Sequence, residues 1–345
     1  MSIAKNNTVT TTHKTNAFVQ PIEALENRQM MSASVPHVPA FLPADVQQAT
    51  VHANKSHANT NHGASNGTLS TLTLVRTAVV LPPPTIKSVT TTVFVEPKTN
   101  WDVTQWHNFS SNPLFNGGVP SPKDVAQGQV GDCWFLATLA EVAKTDPYRI
   151  ESSIFERADG TYDVYFHTSP TAMIDEHVDG KLPENKYGSL EYAKLGQGGC
   201  TWVAIMEKAF TYFRDRSSAP AYSTIAGGSA MESMKDLGGT PSDLLPQVHT
   251  GQDLFNDVVW GLVFNTSMTV GTRNSSWGPL VGEHEYSVIS ARVYNGVQQI
   301  ELRNPWGYNP NFTASANYDW TNDGYIWVNA SAVLPQLDEF VTAAM

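Results

Sequence analysis

Residues 127–144, QGQVGDCWFLATLAEVAK, set an irregular approach directly against a helix. Gly128 and Gly131 break any regular pattern up to Asp132. From there Phe135, Leu136, Leu139, Val142 and Ala143 fall on one stripe at helical spacing, which predicts a buried helix over Asp132–Lys144. Cys133 then stands in the first helical turn, where unpaired backbone N–H groups and the macrodipole favour negative charge. A free thiol has a pKa of about 8.5, and a helix tip beside an imidazolium lowers it to roughly 3.5–7.5. The placement therefore predicts a reactive thiolate.

Outward from this segment, Thr201–Arg214 carries a second helical stripe through Val203, Met206, Ala209, Phe210 and Phe213, so the first part of the body reads as largely helical. After Gly238 and Gly239 the character changes. Glu285–Tyr294 and Val297–Asn304 are strand-like runs on either side of Asn295-Gly296, a strong short hairpin signal. The expected fold class is α+β, with a helical lobe carrying Cys133, a β-rich lobe and a cleft between them. The expected segments are a disordered low-complexity tail over 1–70, a Thr/Val/Pro-rich linker or strand annex over 71–100, a helical lobe over 101–238 and a β-rich lobe over 239–345. Within the annex, Leu72–Val80 and Ser88–Val95 have strand character. His52, His57 and His62 recur in the tail and read as solvated sequence rather than a metal tract.

A nucleophilic thiol acting on an amide needs a base and donors for the oxygen that becomes negative. His284 precedes the first hairpin strand and Asn304 closes the second, so the ribbon brings both to one end, with residue 304 opposite about residue 287. A carboxamide oxygen accepting from an imidazole fixes its tautomer, the Cys-His-Asn form of triad logic. Trp306 is placed to cover that bond. The backbone N–H of Cys133 and the side chain of Gln127 are the candidate oxyanion donors, with Trp134 as a supporting neighbour.

Composition limits the other possibilities. The first hundred residues hold seven Lys and Arg against four Asp and Glu, and the remainder 14 against 28. An acidic body argues against phosphate-backbone binding, so no nucleic-acid partner is expected. Cys133 and Cys200 are the only cysteines, which excludes a disulfide framework or zinc ribbon by count. No stretch approaches the roughly 20 apolar residues of a membrane span, and the amino terminus lacks the apolar run of a signal peptide. A cytoplasmic protein is the expectation.

Gln127–Leu136 resembles the cysteine box of the calpain family, His284–Val288 its histidine segment and Arg303–Gly307 its asparagine box. Weaker likenesses lie at Val178–Pro183, Met206–Phe210 and Gly227–Ser229, so the resemblance spans about residues 110–335. It implies a papain-like two-lobe fold and a thioester-forming endopeptidase, with Cys133, His284, Asn304 and Gln127 in the roles above. No cofactor is needed for that chemistry. The family's calcium sites imply Asp124 and Glu207 as ligands of one site, while the acidic ligands of the other are missing after Asn304. The chain departs from the family beside the histidine, where Glu283 replaces a common glycine and Glu285 a small residue. Two other readings stay open: a catalytically silent peptide-binding module, and a papain-like acyl transferase or deubiquitinase.

Overall fold

Strands and helices interleave along the chain from Val103 onward. A computed structural model describes residues 94–217, 219–310 and 321–345. The expectations for residues 1–70 and Leu72–Val80 lie outside the described residues. Of Ser88–Val95 only Phe94 and Val95 are described, and neither is in a strand.

In chain order the elements are β1 (Val103–Asn108), α1 (Cys133–Thr145), α2 (Pro147–Glu151), β2 (Ile154–Glu156), β3 (Thr161–Ser169), β4 (Ala172–Asp179) and β5 (Lys181–Asn185). Then come α3 (Trp202–Asp215), α4 (Ala230–Asp236), β6 (Thr240–Asp243), α5 (Gly251–Val263), β7 (Ser267–Thr272), β8 (Glu285–Tyr294), β9 (Val297–Arg303), β10 (Tyr325–Asn329), α6 (Ala330–Val333) and β11 (Leu337–Ala344). The architecture is α+β. β1 pairs with β5, β2-β3-β4 form a small meander, and a six-stranded sheet runs in the order β10-β9-β8-β7-β11-β6. All the strand pairs are antiparallel.

The expected largely helical first part needs correction, because five strands lie between Val103 and Asn185. In β3, Tyr162, Val164 and Phe166 are buried at every second position, a strand alternation. One apolar core joins Val125 through Leu237, and a second joins Val248 through Phe340. Helix α1 is buried on nearly every side rather than along one stripe. It packs on the first core and also on β7 and β8.

Polar bonds fix that second contact. Ser287 Oγ donates to the Ala137 carbonyl at 2.9 Å, Lys144 Nζ donates to the Val288 carbonyl at 2.7 Å, and the Thr145 and Ser267 hydroxyls are 2.5 Å apart. The middle and carboxyl end of α1 are thereby held against β7 and the first residues of β8. Among the described residues no helix is long and apolar enough to cross a membrane.

Candidate active site

Cys133 is the first residue of α1, and the last turn of its approach is shaped by close packing. A Cβ on Gly128 would lie 2.1 Å from the Tyr192 carbonyl oxygen, so only glycine fits there. The Gln127 backbone N–H donates to the Pro305 carbonyl at 2.8 Å, and buried Arg303 donates from Nη2 to the Val125 carbonyl at 2.6 Å. The cysteine loop and the asparagine loop are therefore joined directly.

The hairpin supplies the other side. Asn295 (φ 49°) and Gly296 (φ 78°) both take left-handed backbone, as a two-residue hairpin turn requires. The expected register needs a one-residue correction. It shifts between Val288 and Ser290, so Arg303 lies opposite Ser287 and Asn304 falls one position beyond. The cause is a bulge at Ile289.

His284 and Asn304 meet at the end of this ribbon, with Nε2 and Oδ1 2.8 Å apart. The Trp306 backbone N–H donates to the same oxygen at 2.9 Å. That oxygen is thus an acceptor, which places the imidazole proton on Nε2 and leaves Nδ1 with a free lone pair. The ring lies 4.7 Å from Trp306 and edge-on to Tyr286 at 5.0 Å, centroid to centroid. Its backbone is pinned by Thr272, whose hydroxyl accepts from His284 N at 3.1 Å and whose N–H donates to His284 O at 3.0 Å. Thr272 was not among the residues singled out from sequence, because its strand pairs with β8 only through the sheet.

Cys133 and His284 line one cleft of about 400 Å³, together with Gly131, Trp134, Gly228 and Glu285. Trp134 donates its indole N–H to the Ile225 carbonyl at 3.1 Å and carries the Arg214 guanidinium 4.6 Å from its ring centroid. Gly228 lies so close to that indole that a Cβ would sit 2.3 Å from it. Gln127 donates its side-chain N–H to the Val130 carbonyl at 2.7 Å, within its own loop.

The electrostatics run opposite to the low-pKa thiolate expected from the helix tip. Burial pushes the Cys133 thiol up to about 11, and the charges of Glu285 and Asp132 add to the rise. Burial also lowers His284 to about 4, against the raising effect of its bond to Asn304. Both cysteines are free, and no hydrogen bond joins Cys133 to His284 among the described residues. A helix terminus offsets only part of the desolvation of a largely enclosed sulfur.

Asp124 and Glu207, the calcium ligands implied by the resemblance, are both buried and engaged. Asp124 accepts from Ser121 N (2.9 Å), Trp202 Nε1 (2.8 Å) and Gln197 N (3.1 Å). Glu207 accepts from Ala193 N at 3.1 and 3.0 Å and faces the buried Asp132 carboxyl. Burial raises both carboxyls, Asp132 to about 7, and the Glu207 carboxyl beside it lets the pair share a proton. Among the described residues no group of three or more His, Cys, Asp or Glu is placed to hold a metal ion. These carboxylates do not fit an oxygen-rich calcium site in this arrangement.

A thiol at a helix tip and a carboxamide-held imidazole thus share one cleft of an α+β frame. The family is defined by sequence: the model of the calpain family cysteine proteases matches residues 82–333, and the chain belongs to that family. The catalytic subunit of bovine calpain-1 (Bos taurus) is 30% identical over 214 residues, covering 57% of this chain and 29% of the relative. The rice calpain-type cysteine protease ADL1 (Oryza sativa subsp. japonica) is 28% identical over 66% of this chain and 11% of its own length. The chicken calpain-2 catalytic subunit (Gallus gallus) is 27% identical over 67% and 33%, respectively. The chain thus spans a third or less of the length of these relatives.

Proposed function

We propose that this chain is a cysteine endopeptidase that cuts protein or peptide substrates, with Cys133 as nucleophile, His284 as general base and acid, and Asn304 as the group that orients His284. The observation that carries the reading is the double use of Asn304 Oδ1 by His284 Nε2 and Trp306 N, at 2.8 and 2.9 Å. It leaves Nδ1 of His284 as the basic atom in the cleft that also holds Cys133.

In the reaction the Cys133 proton passes to His284 Nδ1 as Sγ attacks the substrate carbonyl carbon. The resulting oxyanion takes the Cys133 backbone N–H, and Gln127 Nε2 once that nitrogen exchanges the Val130 carbonyl for it. Collapse breaks the C–N bond, and the imidazolium gives its proton to the departing amine. Water, deprotonated by Nδ1, then hydrolyses the thioester and returns the thiol. Burial keeps the proton on sulfur, because it penalises both members of an ion pair. The pair titrates as a unit once the two groups engage, so their separate values do not govern the reacting state.

Incubation with an unstructured protein such as casein, with and without calcium, is the test. The chain should cut it, and Cys133→Ala should abolish cutting. Full cleavage by Cys133→Ala would overturn the assignment. A second reading, a peptide-binding module of this fold that does not cut, is motivated by Glu283 and Glu285, which flank His284 in the cleft. Peptide binding without cleavage by the unmodified chain would select it.

A further inference from the structure

Three neighbouring strands of the large sheet place two acidic side chains across a glycine. Gly271 on β7 is the register partner of Glu285 on β8 and of Glu339 on β11. Cross-strand partners project to the same face, and a glycine between two long side chains leaves a notch. A Cβ on Gly271 would lie 2.7 Å from Asp338 Oδ1, 2.7 Å from Glu339 Cγ and 2.9 Å from Glu285 Oε2, so all three acids converge there. This notch opens into the same cleft as Cys133 and His284, and Glu283 adds a fourth carboxylate to its lining.

One observation shows that the cluster is more than a charged rim. Glu285 is only 4% exposed and lines the cleft, and neither its Oε1 nor the hydroxyl of the neighbouring Thr269 has a partner in hydrogen-bond geometry among the described residues. Across the notch, Glu339 Oε2 accepts only a long bond from Ser229 Oγ, at 3.3 Å. Among the described residues, none of Glu283, Glu285, Asp338 and Glu339 forms an ion pair with Lys or Arg. A buried carboxyl oxygen with no donor is an unmet demand for an N–H group.

We propose that the Gly271 notch is a specificity subsite that receives a lysine or arginine side chain of the substrate, one or two residues from the scissile bond. The proposal rests on the peptidase reading above and adds the substrate class. A cationic head provides several N–H donors and neutralises the converging carboxylates, whereas an apolar side chain would desolvate them without a partner. Burial, followed by the Glu339 charge, holds Glu285 well above the usual carboxylate range, and a cation placed between the two carboxyls offsets both effects. Gly227 and Gly228 line the same cleft.

The test uses matched peptides that differ only in carrying Lys, Arg or norleucine near the cut. Cleavage by the unmodified chain is measured as kcat/KM, and binding to Cys133→Ala by fluorescence anisotropy. The basic peptides should be preferred on the order of 10- to 100-fold, the worth of a hydrogen bond to a charged group. Glu285→Gln and Glu339→Gln, checked for folding by thermal melting, should each shrink that ratio. Gly271→Ala should shrink it with both carboxylates still present. A ratio near one in both cleavage and binding, or a ratio untouched by either Gln variant, overturns the subsite. Selective binding of basic peptides without any cleavage instead keeps the subsite and sinks the peptidase reading.

Discussion

Asn304 Oδ1 receives two N–H donors, and this sets the consequence of losing it. Asn304→Ala leaves the His284 ring and the Trp306 backbone N–H unpaired in a buried place, at about 1–3 kcal/mol for each orphaned group. The thiol remains, so activity should fall by roughly 10- to 100-fold rather than vanish, mostly in kcat. Steady-state kinetics on one peptide checks this, and an unchanged kcat would remove Asn304 from the reaction. Glu283, one residue before the histidine, makes the opposite case. Its φ is 51°, in the left-handed region where a side chain costs about 1–2 kcal/mol. Glu283→Gly should raise stability by roughly 0.5–1 kcal/mol after the added freedom of the unfolded glycine is counted. A lowered melting temperature would mean that the Glu283 side chain stabilises the loop in some other way.

The β8–β9 hairpin is the element on which the site hangs, since its open end holds both His284 and Asn304. Gly296 has φ 78° and nothing within 4 Å of an added Cβ, so a substitution there costs backbone strain alone. Gly296→Val should destabilise the fold by about 1–2 kcal/mol, read from the urea midpoint at unchanged slope. A loss of peptide cleavage larger than the loss of folded protein would show that the turn also sets the His284–Asn304 register. This hairpin and helices α1 and α3 were legible in the sequence because local period and turn chemistry determine them. The bulge at Ile289 was not, because an extra residue is visible only against its partner strand. The five early strands were missed for two reasons: β1 pairs with the distant β5 only through the fold, whereas the β2-β3-β4 meander is local and its alternating Tyr162, Val164 and Phe166 were a readable signal. The three residues proposed for the chemistry could be read from motifs, but the direction of the thiol shift could not. It depends on how completely two packed elements enclose the sulfur. The Gly271 notch was invisible for a related reason, since β7, β8 and β11 become neighbours only in a sheet whose order departs from chain order.

Across the whole molecule, several acids are buried where they titrate high. Burial raises Asp132 to about 7 and Glu141 to about 7, and it holds Glu207 and Glu285 well above the ordinary range. A carboxyl whose folded pKa exceeds its unfolded value binds protons more tightly when folded. Its stabilisation is complete below the unfolded value near 4 and is lost as pH rises through the folded one. His284 acts in the other direction: lowered to about 4, it favours folding above its unfolded value near 6.5 and loses that effect as pH falls through 4. Between pH 6 and 8 these acids, together with Asp236, which burial also raises to about 7, oppose one imidazole, so the melting temperature should fall as pH rises across that window. Asp132→Asn removes one member of the Asp132–Glu207 pair and should flatten the slope and raise stability at pH 8. A melting temperature that is flat or climbs from pH 6 to 8 would mean that these carboxyls are ionised in the native protein, with their charges compensated within the fold.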